Sequence, residues 1–293
     1  MRWQEGGESE NVEDQRGHVE DQRGLPVGMA LGGAGTVIAV VIALLLGRNP
    51  LALLEQVQNQ AAPPGVRSSR QESPEEARKV SFVKHVLFQT EQVWSDLFQT
   101  QIPGRPAYRK PRLVLFTGRV NSACGLADAA VGPFYCPADQ KVYIDLEFYD
   151  ELKNRFHAGG DFANAYVIAH EVGHHVQNLR GISIESKHQK LPRESENQLS
   201  VRLELQADFL AGVWAHYADQ KWHILEAGDV EKAIAAAQAI GDDRLQKQAQ
   251  GYVVPEKFTH GTSKQRVYWF REGLVSGNLK EADRLFSLPY GKL

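Results

Sequence analysis

The chain has 293 residues, 42% of them hydrophobic and 24% charged, with a formal net charge of −3. That composition is globular and long enough for one large domain or two small ones, and the near-neutral balance, with no long basic run, excludes nucleic acid as an expected partner. Two cysteines, Cys124 and Cys136, by themselves say little about compartment.

Residues 1–26 read as a polar, disordered N-terminal tail: the first 24 are rich in Gly and Glu and hold few large apolar side chains. The hexad Val-Glu-Asp-Gln-Arg-Gly occurs at 12–17 and again at 19–24, and two copies are too few for a solenoid. From Val27 to Leu46 there are twenty residues without a charge. At helical rise they span roughly 30 Å, the thickness of a bilayer's hydrocarbon core, so 27–46 is expected to be one transmembrane helix. A buried core helix seldom lacks polar residues for so long. A cleaved signal peptide fits no better: the preceding region is acidic, the run is too long, and no small-x-small site follows Leu46. Gly28 and Gly32 give a G-x-x-x-G spacing of the kind found where helices pair. Arg16 and Arg23 precede the span and Arg48 follows it, which favours a cytoplasmic N-terminus and an extracytoplasmic domain. Residues 47–72, with Asn-Pro, Gln-rich and Ala-Ala-Pro-Pro-Gly segments, read as a linker.

The remaining domain, 73–293, is expected to be α+β and mainly helical, with a small antiparallel sheet. Ser73-Pro74-Glu75-Glu76 is a capping box, and Val80, Val83, Val86, Leu87, Val93 and Leu97 follow it as a helical apolar stripe. Arg112–Phe116 and Lys141–Asp145 read as strands, with Phe134 and Tyr135 on the arm before the second. Cys124 and Cys136 flank a Gly-containing loop between them; outside the cytoplasm a disulfide would close it, and two free thiols are the alternative. Further helices are expected from Asp161, as N-cap, to Gly181; from near Ser195 to about Tyr217; from Asp229 to Gly241; over 263–274; and over 278–286.

Within the helix opened by Asp161 lies His170-Glu171-Val-Gly-His174, an H-E-x-x-H motif. Four residues apart on a helix, both imidazoles project from one face and can share a Zn2+ ion, while Glu171 sits beside the water that zinc activates and can take its proton. A third ligand is needed, and Glu204 is the best placed. Glu204 and Asp208 share one face of a helix otherwise carrying Leu199, Leu203, Leu210 and Trp214, where carboxylates need a partner. Glu204 is assigned to the metal, and Asp208 to the second ring nitrogen of a ligand His. A surface pair between Glu204 and Arg202 or a Lys is the plainer alternative. His175 points about 100° away from His174 around the helix, and His157, His188, His216 and His223 lack ligand spacing.

H-E-x-x-H followed by E-x-x-A-D resembles the zinc peptidases with a Glu third ligand, and is similar to the membrane-bound heat-shock and prenyl-protein (CAAX-type) peptidases. Those carry a later T-H-P-P-x-x-x-R-I segment, which Thr259-His260-Gly261-Thr262-Ser263-Lys264-Gln265-Arg266-Val267 matches with Gly-Thr for Pro-Pro. The layout resembles more closely still a bacterial family described as "putative neutral zinc metallopeptidase". Met1-Arg2-Trp3-Gln4, Asn11-Val-Glu-Asp14 and the block from Phe258 to Phe270 stand where that family has its own motifs. The resemblance covers nearly the whole chain. It implies a zincin-like metallopeptidase acting on peptide or protein substrates, single-pass in the bacterial inner membrane through 27–46, with the domain periplasmic. It also implies that His260 holds the oxyanion of the reacting carbonyl. Arg266 shares that charge-stabilising role or pairs with a carboxylate to position its helix. Tyr217 and Tyr252 are further donors to weigh. The strand Lys141–Asp145 is the expected edge along which substrate lies. From another class, the rival is a membrane-tethered binding or chaperone-like protein with a structural or degenerate zinc site, which would need a fourth protein ligand.

Overall fold

The computed structural model describes residues 1–16, 72–102, 104, 106–128, 132–155, 157–191, 194–239, 252 and 258–293. The stretch expected to span a membrane and nearly all of the expected linker lie outside them. Among the described residues no helix is long and apolar enough to cross a membrane.

The N-terminal tail needs correction. Residues 1–16 are part of the folded domain, in one compact unit with 72–293. Strand β1 (Val12–Asp14) pairs in parallel with β2 (Arg112–Phe116), Val12 opposite Leu113. Trp3 is buried and meets Phe82 edge-on, with ring centroids 5.5 Å apart. Helix α1 (Pro74–Thr100), started by the Ser73–Glu76 capping box, turns buried polar side chains towards this segment. Gln89 donates to the carbonyls of Trp3 (3.2 Å) and Glu5 (3.1 Å), and Glu91 accepts from Ser9 (2.7 Å) and Asn11 (2.8 Å). A polar composition suggested a free chain, but Trp3 and Val12 provide the apolar anchors. Polar groups in α1 that would otherwise be buried unpaired make the segment's hydrogen bonds worthwhile.

The sheet also differs from expectation. Strands β3 (Arg119–Ser122) and β4 (Gly125–Asp128) form a separate antiparallel hairpin, followed by β5 (Phe134–Cys136) and β6 (Lys141–Asp145). The main sheet is four-stranded and mixed, in the order β1-β2-β6-β5; β1–β2 and β2–β6 are parallel and only β5–β6 is antiparallel. Long connections precede β2 and β6, as parallel neighbours require, whereas β5 reaches β6 through the tight turn 137–140. The Cys124–Cys136 disulfide is formed, with Cα atoms 5.8 Å apart, and ties the β3–β4 turn to the end of β5.

After the short α2 (Glu147–Asn154), helix α3 (Asp161–Leu179) runs through the core against α1, the sheet and two later helices. Asp161 is its first residue rather than its cap; Gly160 precedes it with φ 146°, and the Asp161 carboxylate accepts from Trp3 Nε1 (3.1 Å) and Arg78 (2.8 Å). The chain continues through α4 (Ile184–His188), α5 (Glu196–Trp222), α6 (Asp229–Ala239) and α7 (Ser263–Ser276) to 3₁₀ turns at Leu279–Phe286 and Tyr290–Lys292. Side-chain caps from Ser195, Thr262 and Asn278 begin three of these elements. Glycines set how closely the site-bearing helices approach. A Cβ on Gly173 would lie 3.0 Å from the Ala207 carbonyl oxygen, where α3 crosses α5. Where α5 meets α7 there is no room at all: a Cβ on Gly273 would come within 2.0 Å of the Phe209 carbonyl oxygen.

Candidate metal centre

The α3–α5 crossing at Gly173 and Ala207 brings His170 and His174 face to face with Glu204. His170 Nε2 lies 3.1 Å from one Glu204 oxygen and His174 Nε2 lies 3.4 Å from the other. The donor atoms of all three residues lie within 4.8 Å of one another, and this is the one such metal-capable group among the described residues. Donors held about 2 Å from a tetrahedral ion stand roughly 3.3 Å apart, so the spacing fits zinc. The donor set of two imidazoles and one carboxylate, with no fourth protein ligand converging among the described residues, is that of an open site rather than a closed structural one. Burial opposes charge on His170, but Asp208 and Glu204 outweigh it and push its pKa up to about 10 in the metal-free protein. Burial likewise opposes charge on Glu204, yet the two imidazoles hold it well below the usual carboxylate range.

Behind His170 lies a closed network of buried groups. Its Nδ1–H donates to Asp208 (2.9 Å), which also accepts from the Tyr166 hydroxyl and two nitrogens of Arg266 (2.8 and 2.9 Å). Asp208 is fully buried, and against that burial Arg266 and His170 hold its pKa down at about 2. The Gly212–Gly273 approach of α5 and α7 delivers Arg266 to Asp208. Arg266 therefore takes the carboxylate-pairing role of its two expected ones. His174 is held differently: its Nδ1–H donates to Gln177 Oε1 (2.9 Å), and Gln177 in turn donates to the Leu203 carbonyl (2.7 Å) and to Gln206 (3.1 Å). The plainer partner for Glu204 is absent because Arg202 pairs with Glu194 and with the carbonyls of Leu285 and Leu288.

Glu171, buried on α3, lines the same cavity, of about 720 Å³, as the three ligand candidates, and burial pushes its pKa up. His260 also lines it and is exposed, with Nδ1 3.0 Å from the Thr259 hydroxyl. Tyr217 and Tyr252 do not line it; the Tyr217 hydroxyl accepts from Gln101 (2.6 Å) elsewhere. The cavity's tyrosines are Tyr135 and Tyr166. Lys141–Asp145 is not an edge: β6 is flanked by β2 and β5, and the strand beside the cavity is β5, with Phe134 and Tyr135 in its wall. His175, turned away from the ligands, connects this strand to the metal helix. It donates from Nε2 to the Arg109 carbonyl (2.6 Å) and accepts at Nδ1 from the Tyr135 hydroxyl (3.0 Å), which accepts from Asn178 (2.9 Å). Burial holds His175 neutral, with its pKa down at about 4.

Sequence reasoning missed Tyr166, Gln177 and Gln206. Tyr166 and Gln177 stand one turn from a ligand on α3, four before His170 and three after His174, and that spacing was the available signal.

A family model described as "Putative neutral zinc metallopeptidase" matches residues 1–285. The chain belongs to this family. Among its relatives, the Escherichia coli K12 protein named "Uncharacterized protein YpfJ" is 46% identical over 281 residues, covering 95% of this chain and 96% of that one. The Mycobacterium tuberculosis H37Rv protein named "Uncharacterized protein Rv2575" is 41% identical over 199 residues, 64% of this chain and 67% of its own. No solved structure matches. Membership of a zinc metallopeptidase family agrees with the His170–His174–Glu204 cluster as a site for zinc.

Proposed function

We propose that this metallopeptidase family member is a zinc endopeptidase, with His170, His174 and Glu204 as ligands and Glu171 as general base. The observation that carries the reading is the open three-donor cluster beside a buried carboxylate in one cavity. A zinc ion held there supplies Lewis-acid activation of water and of the scissile carbonyl. Glu171, whose pKa burial raises, takes the water's proton and returns it to the leaving amine. His260, in the lining of the same cavity, donates to the oxygen on which negative charge develops. Extended substrate lies along β5, whose outer edge faces no other strand among the described residues, with Phe134 and Tyr135 beneath its side chains.

Residues 27–46 attach the protein to a bilayer, and the Cys124–Cys136 disulfide supports an oxidising, extracytoplasmic location at the bacterial inner membrane. A structural zinc site in a binding or chaperone-like protein is disfavoured because no fourth ligand converges among the described residues. The test is Glu171→Gln in the full chain: zinc content stays at one ion per chain while cleavage of a proteome-derived peptide mixture falls at least 100-fold. Undiminished cleavage would sink the mechanism.

A further inference from the structure

We propose that His175 and Asn178 are positioning residues for substrate: from the metal-bearing helix they hold β5 at a set distance from the metal position, and with it the extended peptide paired to its outer edge. The proposal rests on the endopeptidase reading above and names the groups that register its substrate against its metal.

Helix α3 carries two sets of polar side chains that follow one another. His170, Glu171 and His174 line the cavity, and one turn further on His175 stands four residues after Glu171 and Asn178 four after His174. Side chains at that spacing lie one above the other on a helix. Whatever His175 and Asn178 hold is therefore placed relative to Glu171 and His174 by a single rigid element.

What they hold is Tyr135, and the link has a fixed direction. The Arg109 carbonyl can only accept, so in the neutral ring His175 Nε2 carries the proton (2.6 Å) and Nδ1 is left as an acceptor. The Tyr135 hydroxyl donates to Nδ1 (3.0 Å), and its oxygen accepts from Asn178 (2.9 Å). Asn178 also reaches towards the Pro137 carbonyl, 3.5 Å away in the turn after β5. The rings of Tyr135 and Tyr108 meet His175 edge-on at 5.4 and 5.7 Å, and the imidazole is fully buried between them.

Strand β5 depends on such a hold. It has three residues and pairs on one side only, with β6, among the described residues. Successive side chains of a strand point to opposite faces. Phe134 and Cys136 face away from α3, Phe134 stacking on Tyr143 with ring centroids 4.8 Å apart and Cys136 tied to Cys124. Tyr135 is thus the one side chain that β5 turns to the helix. Ladder hydrogen bonds run within the plane of a sheet and leave its distance from a facing helix to side chains. Here the Tyr135 hydroxyl sets that distance. A peptide lying along β5 feels the link, whereas a small molecule that touches only the metal does not.

The test uses the full, zinc-loaded chain and three variants: Tyr135→Phe, His175→Leu and the two combined. The substrate is a fluorogenic nonapeptide taken from the mixture that the wild type cleaves. Each single variant should raise KM about tenfold with kcat within about twofold, and the double variant should do no worse than either alone, because both cut one link. Zinc content and the inhibition constant of acetohydroxamate, which reaches only the metal, should stay within about twofold. In the metal-free chain, amide hydrogen exchange over 134–136 should speed up by at least about threefold in both single variants, with 168–174 unchanged. Tyr135→Phe, the milder change, suffices if His175→Leu does not fold. Equal losses in acetohydroxamate binding, additive effects in the double variant, or unaltered exchange of β5 would overturn the role. A wild type that cleaves nothing in the mixture would sink the endopeptidase reading and this role with it. A wild type that cleaves, with KM unmoved by Tyr135→Phe, would sink this role alone.

Discussion

His170 and His174 stand one turn apart on the same helix and face the same carboxylate, yet their far ring nitrogens are held by different chemistry. His170 rests on a fully buried ionic network of Asp208, Arg266 and Tyr166, and His174 on a neutral amide relay through Gln177 and Gln206. Both arrangements fix a tautomer with Nε2 turned to the metal position. Only the first adds a negative charge behind the ring, which strengthens the nitrogen as a donor but ties the ligand's geometry to a salt bridge carried in by a third helix. The His170 side therefore couples metal binding to the fold, whereas the His174 side orients its ligand locally.

The sharpest way to break the comparison is Asp208→Ala. Removing it leaves Arg266 buried without its partner, so urea denaturation should show a loss of about 3–5 kcal/mol; a loss below 1 kcal/mol would mean that the network is not what holds α7 to α5. The second effect is on pH. With its pKa raised from 6.5 to about 10, His170 is protonated at neutral pH in the metal-free protein, and zinc uptake must expel that proton. Zinc affinity should rise by up to about tenfold per pH unit from pH 7 towards 10, with proton release seen as a buffer-dependent heat in calorimetry. The stability that the metal-free fold draws from protonated His170 runs the other way. It is full below pH 6.5 and lost as pH rises through about 10, while the contribution of Asp208, depressed from 3.8 to about 2, is full above 3.8 and lost as pH falls through 2. On the neutral side, Gln177→Leu should weaken zinc binding by about tenfold and leave the proton release in place. The smallest effect is Tyr166→Phe, which removes one of several donors to Asp208 and should cost about 1 kcal/mol of stability.

The strands Arg112–Phe116 and Lys141–Asp145 and the capped helices follow from local chemistry and were legible in the sequence at nearly their observed bounds, whereas the hairpin Arg119–Asp128 that the disulfide ties to β5 was not. Ser73, Ser195 and Thr262 cap where a Ser or Thr with a Glu or Gln three residues on announces a helix start. The sheet was not legible in the same way. Three residues of Val-Glu-Asp carry no periodicity that marks a strand, and the order that leaves β5, rather than β6, beside the cavity is a matter of long-range pairing.

By itself, then, the sequence determined the chemistry of the site. Spacings of three and four residues on a helix place side chains on one face whatever surrounds them, and that put His170, Glu171 and His174 together and set Glu204 beside Asp208. Only the tertiary structure decided what those groups meet: that Gln177 holds His174, that Arg266 serves Asp208 through a Gly212–Gly273 contact, and that the polar N-terminal segment belongs to the core. The last two join residues dozens to about a hundred positions apart, and Gln177, though local to His174, is itself fixed by Leu203 and Gln206 across the helix crossing. Such contacts arise from shape and from the need to satisfy buried polar groups, and neither leaves a local pattern in the chain.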